Sequence, residues 1–286
     1  FSDSPDGTSL LTVPNAKAAG VKGNTVFAVV QFEYTTFAQD GKTGMYGRLP
    51  SPIAVLTLDQ DPATGKLALV KYHNVDTAPA NGLWITCGAS LSPWGTHLSS
   101  EEYEPNAFTA ATDSQFKAFS KNLYGSETAA NPYNYGHLPE VTVNPDGTAS
   151  IKKHYCLGRI SHELVQVMPD KRTVFMGDDA TNSGYFAFVA DKEKDLSAGT
   201  LYVARVGAGF SLEDVARRNL AKRWHPDRAG VHGLHRARQL GEPGARGVPL
   251  AGPADRQVHL LIPPRQLRQE TAGETRPFSL VRITAA

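Results

Sequence analysis

A chain of 286 residues, 41% hydrophobic and 20% charged, is long enough for one large domain or two ordinary ones and carries enough apolar material for a sizeable core. A formal net charge of +1 gives no electrostatic reason to bind nucleic acid or an anionic membrane surface, and no run approaches the ~20 apolar residues of a transmembrane helix. Two cysteines, Cys87 and Cys156, do not make a disulfide framework, and Phe1–Pro14 has neither the basic region nor the apolar run of a signal peptide.

From Asn24 to Val206 the pattern is one of short strands joined by turns. Thr25–Tyr34 is rich in Val, Phe and Tyr, residues that suit a half-buried pleated surface. Ile53–Leu58 and Leu67–His73 flank a loop of turn formers between Asp59 and Lys66. Val141–Val143 and Thr148–Lys153 flank Asn144-Pro145-Asp146-Gly147, where Pro presets φ and Gly supplies a positive one. Leu164–Met168 and Thr173–Met176 flank Pro169-Asp170-Lys171-Arg172, and Tyr185–Ala190 and Thr200–Val206 flank a charged loop, Asp191–Ser197. A helix is expected around Asp113–Asn122, inside a long polar insertion. Paired strands with turn signals predict an all-β sandwich, barrel or propeller, although no repeat of ~40–45 residues is visible.

Beyond Val206 the character changes. Residues 207–286 hold 12 of the 16 arginines, one of the 13 lysines, none of the ten tyrosines and seven of the 19 prolines. Ser211–Trp224 reads as a helix, followed by loop-forming Gly, Pro, Arg and His. Such a bias fits a basic accessory tail or translation of a GC-rich gene in a shifted frame. His225-Pro226-Asp227 is similar to the loop of a J-domain, but the Gly and Pro that follow leave no third helix, so that match reads as chance. The expected division is a β-propeller portion over 1–206 and an atypical Arg/Pro/Gly-rich tail over 207–286 that adds no regular blades.

Three segments carry chemistry. In Thr86–Asn106, Cys87 precedes a Gly/Ser/Pro turn, a Trp94-Gly95 pair and the carboxylates Glu101, Glu102 and Glu104. Thiolate with carboxylate suits a transition metal, and the oxygens also suit a hard cation such as calcium. The plainer alternatives are a buried apolar cysteine and a solvated acidic loop. Gly158-Arg159-Ile160-Ser161-His162-Glu163 sets imidazole beside carboxylate at a strand start, and Gly177-Asp178-Asp179 follows a strand directly. His162 could equally be a core histidine, and the two aspartates could cap a turn. Acidic segments at three strand ends favour one shared cation cluster.

In this order and spacing, Cys87 through Glu102, Gly158–Glu163 and Gly177–Asp179 resemble the hallmarks of the PhoX phosphatases. Ser183–Val189 and Asp195–Tyr202 extend the resemblance, which covers roughly residues 20–206. It implies a secreted phosphatase on a six-bladed β-propeller with a mixed iron and calcium centre, located in the periplasm or outside the cell. Cys87 would be the iron-binding thiolate, Glu102 and Glu163 metal-binding or bridging carboxylates, and Asp178-Asp179 the calcium loop. The substrate would be a phosphomonoester, attacked in line while cations neutralise its oxygens, and the protein would act as a monomer.

The chain also departs from that family. Its Arg-Pro-Glu type segment has no equivalent, since Thr275-Arg276-Pro277-Phe278 lacks the carboxylate. The family's substrate lysine is missing from Asp76–Gly82, and the acidic pair here follows Ser99-Ser100. The expected object is therefore a partial β-propeller with an incomplete phosphatase site. The competing readings are a calcium-binding propeller without catalysis, a truncated fragment, and a basic module acting through the tail.

Overall fold

A computed structural model describes residues 2–180, 183–206 and 278–283. The first sheet contains β1 (Pro5–Leu11), β2 (Asn24–Phe32), β3 (Ile53–Gln60) and β4 (Leu67–Asn74), in that order and antiparallel throughout. The second contains β5 (Ser90–Leu91), β6 (His97–Leu98), β7 (Leu138–Val143) and β8 (Ala149–His154). The third contains β9 (His162–Val167), β10 (Thr173–Asp178), β11 (Tyr185–Lys192), β12 (Asp195–Val206) and β13 (Phe278–Ile283). Each is a meander in chain order, and the leading strands lie together, β1 against β5 and β5 against β9. Successive antiparallel meanders with their first strands innermost are three blades of a β-propeller.

The turns fold as their residues dictate. Between β7 and β8, Asn144 and Thr148 close the loop with a 2.8 Å hydrogen bond, and Gly147 takes φ 83°. Between β9 and β10 the Asp170 carboxylate accepts from the amides of Arg172 (3.1 Å) and Thr173 (2.9 Å). The charged stretch 191–197 differs from its reading as a loop. Lys192 pairs with Asp195 across a tight hairpin whose Lys194 has φ 60°, so the charges ride on the outward ends of two strands.

Two apolar layers cement the blades. Phe27, Val29, Ile53 and Val55 of the first sheet meet Val141, Val143 and Ile151 of the second. Leu98 and Leu138 of the second meet Val165, Val174, Met176, Phe186 and Phe188 of the third. Because strand side chains alternate between faces, the two-residue β6 sends Leu98 toward the third sheet and leaves His97 facing the first.

The segment between β6 and β7 holds α1 (Ser114–Tyr124). Asp113 caps it, accepting from the amides of Gln115 (2.8 Å) and Phe116 (3.3 Å), and Gly125 ends it in the left-handed conformation at φ 75°. Phe116, Phe119 and Leu123 follow helical spacing and pack on Trp84 and Tyr135, with Phe119 ring centroids 5.0 Å from both. Each buried phenylalanine contributes about 1.5–3 kcal/mol. This insertion also masks the repeat of the blades in the sequence.

Strand β13 pairs with β12 from Leu201↔Ile283 to Val206↔Phe278 and widens the third sheet by one strand. The helix expected over Ser211–Trp224, the His225-Pro226-Asp227 loop and most of the 207–286 tail lie outside the described residues.

Candidate metal centre

The innermost strands bring one end of each blade to a common place, and six acidic or sulfur side chains arise from equivalent positions there. Asp6 lies at the start of β1 and Glu33 directly follows β2. Cys87 precedes β5 and Glu102 follows β6. Glu163 opens β9 and Asp178 closes β10, with Asp179 next.

Cys87 and Glu102 are held by a short antiparallel pairing. Thr86 bridges Glu101, the Cys87 amide donates to Ser100 O (3.0 Å) and the Glu102 amide to Ile85 O (3.0 Å). Adjacent carboxylates thereby leave on opposite sides. Glu101 turns into the protein and accepts from the amides of Trp84 (2.9 Å), Gly136 (3.0 Å) and His137 (3.1 Å) and from Lys153 Nζ (2.8 Å). It is a brace and not a ligand. Glu102, also buried, turns toward Cys87 and Glu33.

The electrostatics there are those of crowded anions. Burial, then hydrogen bonding to Glu33 and the charges of Glu33 and Asp179, push Glu102 up to about 8. Burial also raises Glu33, so the pair keeps a proton that Glu102 donates and Glu33 accepts. The Cys87 thiol is pushed far above the usual thiol range by burial, then by Glu102, Asp6 and Glu33, and it bonds Asp6. A cation inverts that order, stabilising thiolate and carboxylates together.

The Asp178-Asp179 loop forms the other side. Tyr103 hydroxyl donates to Asp179 Oδ2, and the Asp179 amide donates to Ser161 O (2.8 Å). Asp178 is pushed up to about 7 by burial and by Glu104, with Asp179 adding repulsion. The amides of Gly184 and Ser161 favour its charge from nearby, yet neither carboxylate oxygen has a hydrogen-bond partner among the described residues. A buried carboxylate with no donor at close hydrogen-bond distance suits a cation site.

The His162-Glu163 pair divides. His162 is fully buried, its Nε2 3.1 Å from Gly158 O and its Nδ1 unpartnered, and burial lowers its pKa to about 3. Glu163 is exposed, without a hydrogen bond or ion pair to its carboxylate among the described residues. Its backbone, however, borders the centre. Ser100 Oγ lies 2.9 Å from Glu163 O, and a Cβ on Gly88 would sit 2.0 Å from the same carbonyl. Arg159 of that segment is buried over the Tyr133 ring, its Nη2 donating to Pro105 O and Pro132 O (3.2 Å).

Among the described residues no three His, Cys, Asp or Glu side chains are set closely enough to enclose an ion as they stand. In donor chemistry the residues fit one: a thiol, a proton-sharing carboxylate pair and an unpartnered buried aspartate. Glu102 interacts with Cys87 and feels the charge of Asp179, Asp178 lies next to Asp179, and Glu163 borders Gly88 and Ser100 through its backbone. Asp6 and Glu33 escaped the sequence reading. Glu33 had a signal, since it follows a strand just as Asp178 and Asp179 do.

Comparison with known proteins fits this arrangement. The family model for alkaline phosphatase PhoX matches residues 7–232. Among solved structures the chain is similar to Pseudomonas fluorescens PhoX in complex with vanadate, a transition state analogue, with TM-score 0.51 and 22% identity over 73% of this chain and 47% of that one. That likeness carries the β-propeller fold, and the chain spans less than half the length of the solved protein. A search of curated proteins finds no match. With the family match running through all three blades and the centre they share, the chain belongs to the PhoX alkaline phosphatase family.

Proposed function

We propose that this chain is the metal-holding part of a secreted phosphomonoesterase of PhoX type, working in the periplasm or outside the cell. The observation that supports this reading is the convergence of Cys87, Glu102 and Glu33 with Asp6 and Asp179 beside them; burial, then mutual repulsion without a counter-charge, raises the pKa values of Cys87, Glu102 and Glu33. We read residues 1–206 as the propeller portion, to which Phe278–Ile283 adds one edge strand. No helix among the described residues is long and apolar enough to cross a membrane.

The sulfur of Cys87 with Glu102 and Glu33 suits iron, and the all-oxygen Asp178-Asp179 loop suits calcium. When bound, such cations neutralise phosphate oxygens and make phosphorus more electrophilic. The chain's own residues prepare for this. Cys87 bonds Asp6 and Glu102 bonds Glu33, which keeps thiol and carboxylates together at one place, while Tyr103 fixes Asp179. Glu163, exposed beside Gly88, is the carboxylate free to turn in from the solvent side.

The cationic side chains beside the centre have other partners. Lys153 donates to Gly82 O, Asn134 O and Glu101, and Arg159 to two carbonyls. Arg159 keeps Nε and Nη1 buried without a hydrogen-bond partner among the described residues, and a full phosphate clamp needs contacts beyond these. Loss of one such contact commonly lowers turnover ~10²–10³-fold. The test is metal content and nitrophenyl phosphate hydrolysis by the full chain refolded with iron and calcium. Retained metal, lost on Cys87→Ser and Asp178→Asn, with slow turnover is expected. Folded protein that retains neither metal would overturn the reading, and retained metal with no turnover would indicate a non-catalytic propeller.

A further inference from the structure

A buried polar chain runs through the interface of the first two blades and ends on the backbone of Cys87. Ser9 on β1, Gln31 on β2 and His97 on β6 are all buried, the last two completely. Gln31 continues the Phe27–Val29 row that faces the second sheet, so its side chain enters the interblade core. Its Nε2 donates to Cys87 O and, at 3.2 Å, to Gly88 O, while its Oε1 lies 3.0 Å from His97 Nε2. His97 Nδ1 lies 2.9 Å from Ser9 Oγ.

The proton positions follow from the partners. Two carbonyls can only accept, so the nitrogen end of the Gln31 amide faces them and the oxygen end faces His97. His97 Nε2 must then carry the proton, and Nδ1 accepts from the Ser9 hydroxyl. Every group in the chain is satisfied with the imidazole neutral, which agrees with burial lowering its pKa to about 3. The Gly7 amide adds a 3.1 Å bond to Cys87 O, and Ser100 Oγ lies 2.6 Å from Gly88 O.

From this geometry we infer that Ser9, His97 and Gln31 are positioning residues that set the direction in which the Cys87 thiol enters the centre. The inference rests on the reading of Cys87 as a metal ligand. An apolar core would hold two blades together equally well, and here Phe27, Val29, Val141 and Val143 already do so. The polar chain instead terminates on the carbonyl of Cys87 itself and on that of the next residue, Gly88. Hydrogen bonds behind a ligand typically change metal affinity 10–100-fold.

The experiment uses the full chain carrying Cys156→Ser, stripped of metal, with cobalt(II) alone as probe and iodoacetamide alkylation of Cys87 as a readout without metal. Cys87→Ser should abolish the near-ultraviolet thiolate-to-cobalt absorption. Gln31→Leu and Ser9→Ala should weaken cobalt binding about 10–100-fold, shift that absorption and speed alkylation, while Ser9→Thr restores all three. Unchanged affinity, absorption and alkylation in both variants would overturn the network. If Cys87→Ser leaves cobalt binding intact, the ligand reading falls. Alkylation then decides alone, with faster rates supporting the network and unchanged rates overturning it. Should Gln31→Leu not fold, the Ser9→Ala and Ser9→Thr pair decides by the same readouts.

Discussion

Lys153 Nζ stands 2.8 Å from Glu101 Oε1 with both side chains buried, and it also lies 5.0 Å from the centre of the Tyr135 ring. This ion pair ties β8 to the segment that presents Glu102, so fold and site meet in one contact. Burial lowers the lysine's pKa and Glu101 opposes the shift. Lys153→Met leaves a buried carboxylate without its cation and should cost about 3–5 kcal/mol, read from urea unfolding.

Metal-free protein should lose stability as pH rises. Glu102 and Asp178 have folded pKa values of about 8 and about 7, above ordinary values of 4.5 and 3.8. The folded state thus holds more protons than the unfolded state between those limits. Its advantage is full below pH ~4 and fades as each folded pKa is passed. Melting temperature in chelator should fall from pH 5 to 8.5, and calcium with iron should flatten or reverse the slope. Glu102→Gln with Asp178→Asn should flatten it without metal.

Asp178→Asn alone separates stability from binding. Removing an unpartnered buried charge should raise the melting temperature of the chelated protein at pH 8 and reduce the further rise on adding calcium. Calorimetry of both forms reads the two effects, and an unchanged calcium response would remove Asp178 from the centre.

Gly88→Ala should be severely destabilising, because the new methyl would meet the Glu163 carbonyl at 2.0 Å where β9 passes the Cys87 turn. Backbone must move, at a cost of about 1–3 kcal/mol or more. Asp113→Ala, distant from the centre, should cost about 1 kcal/mol through loss of the α1 cap and leave cobalt binding unchanged.

The outer strands were legible because they are rows of Val, Ile, Leu and Phe closed by turn residues. β1 was not, since Pro5, Gly7, Thr8 and Ser9 look like a loop; a strand forms because Pro5, Thr8 and Ser9 pair with Phe32, Val30 and Val29. β5 and β6, two residues each, carry no periodic signal. The motifs around Cys87, Glu163 and Asp178 could be read, but the separate fates of Glu101 and Glu102 depend on pairing with Ile85–Cys87. Asp6 and Glu33 depend on the packing of the first blade, which no local pattern encodes.

The meander order has a consequence for how the molecule is made. The first four strands of each blade are consecutive in sequence and touch the blade made just before, so a chain emerging from its N-terminus can build blades one after another, with β13 added later to the third. The centre cannot form that way. Asp6 and Glu33 wait for Cys87 and Glu102, and all four wait for Asp178 and Asp179. During synthesis the acids remain apart in water and repel little; their mutual repulsion appears only when the third blade docks. On the proposed reading, cation capture would wait for the third blade, and scarcity of metal would stall the docking of that blade rather than of the first two.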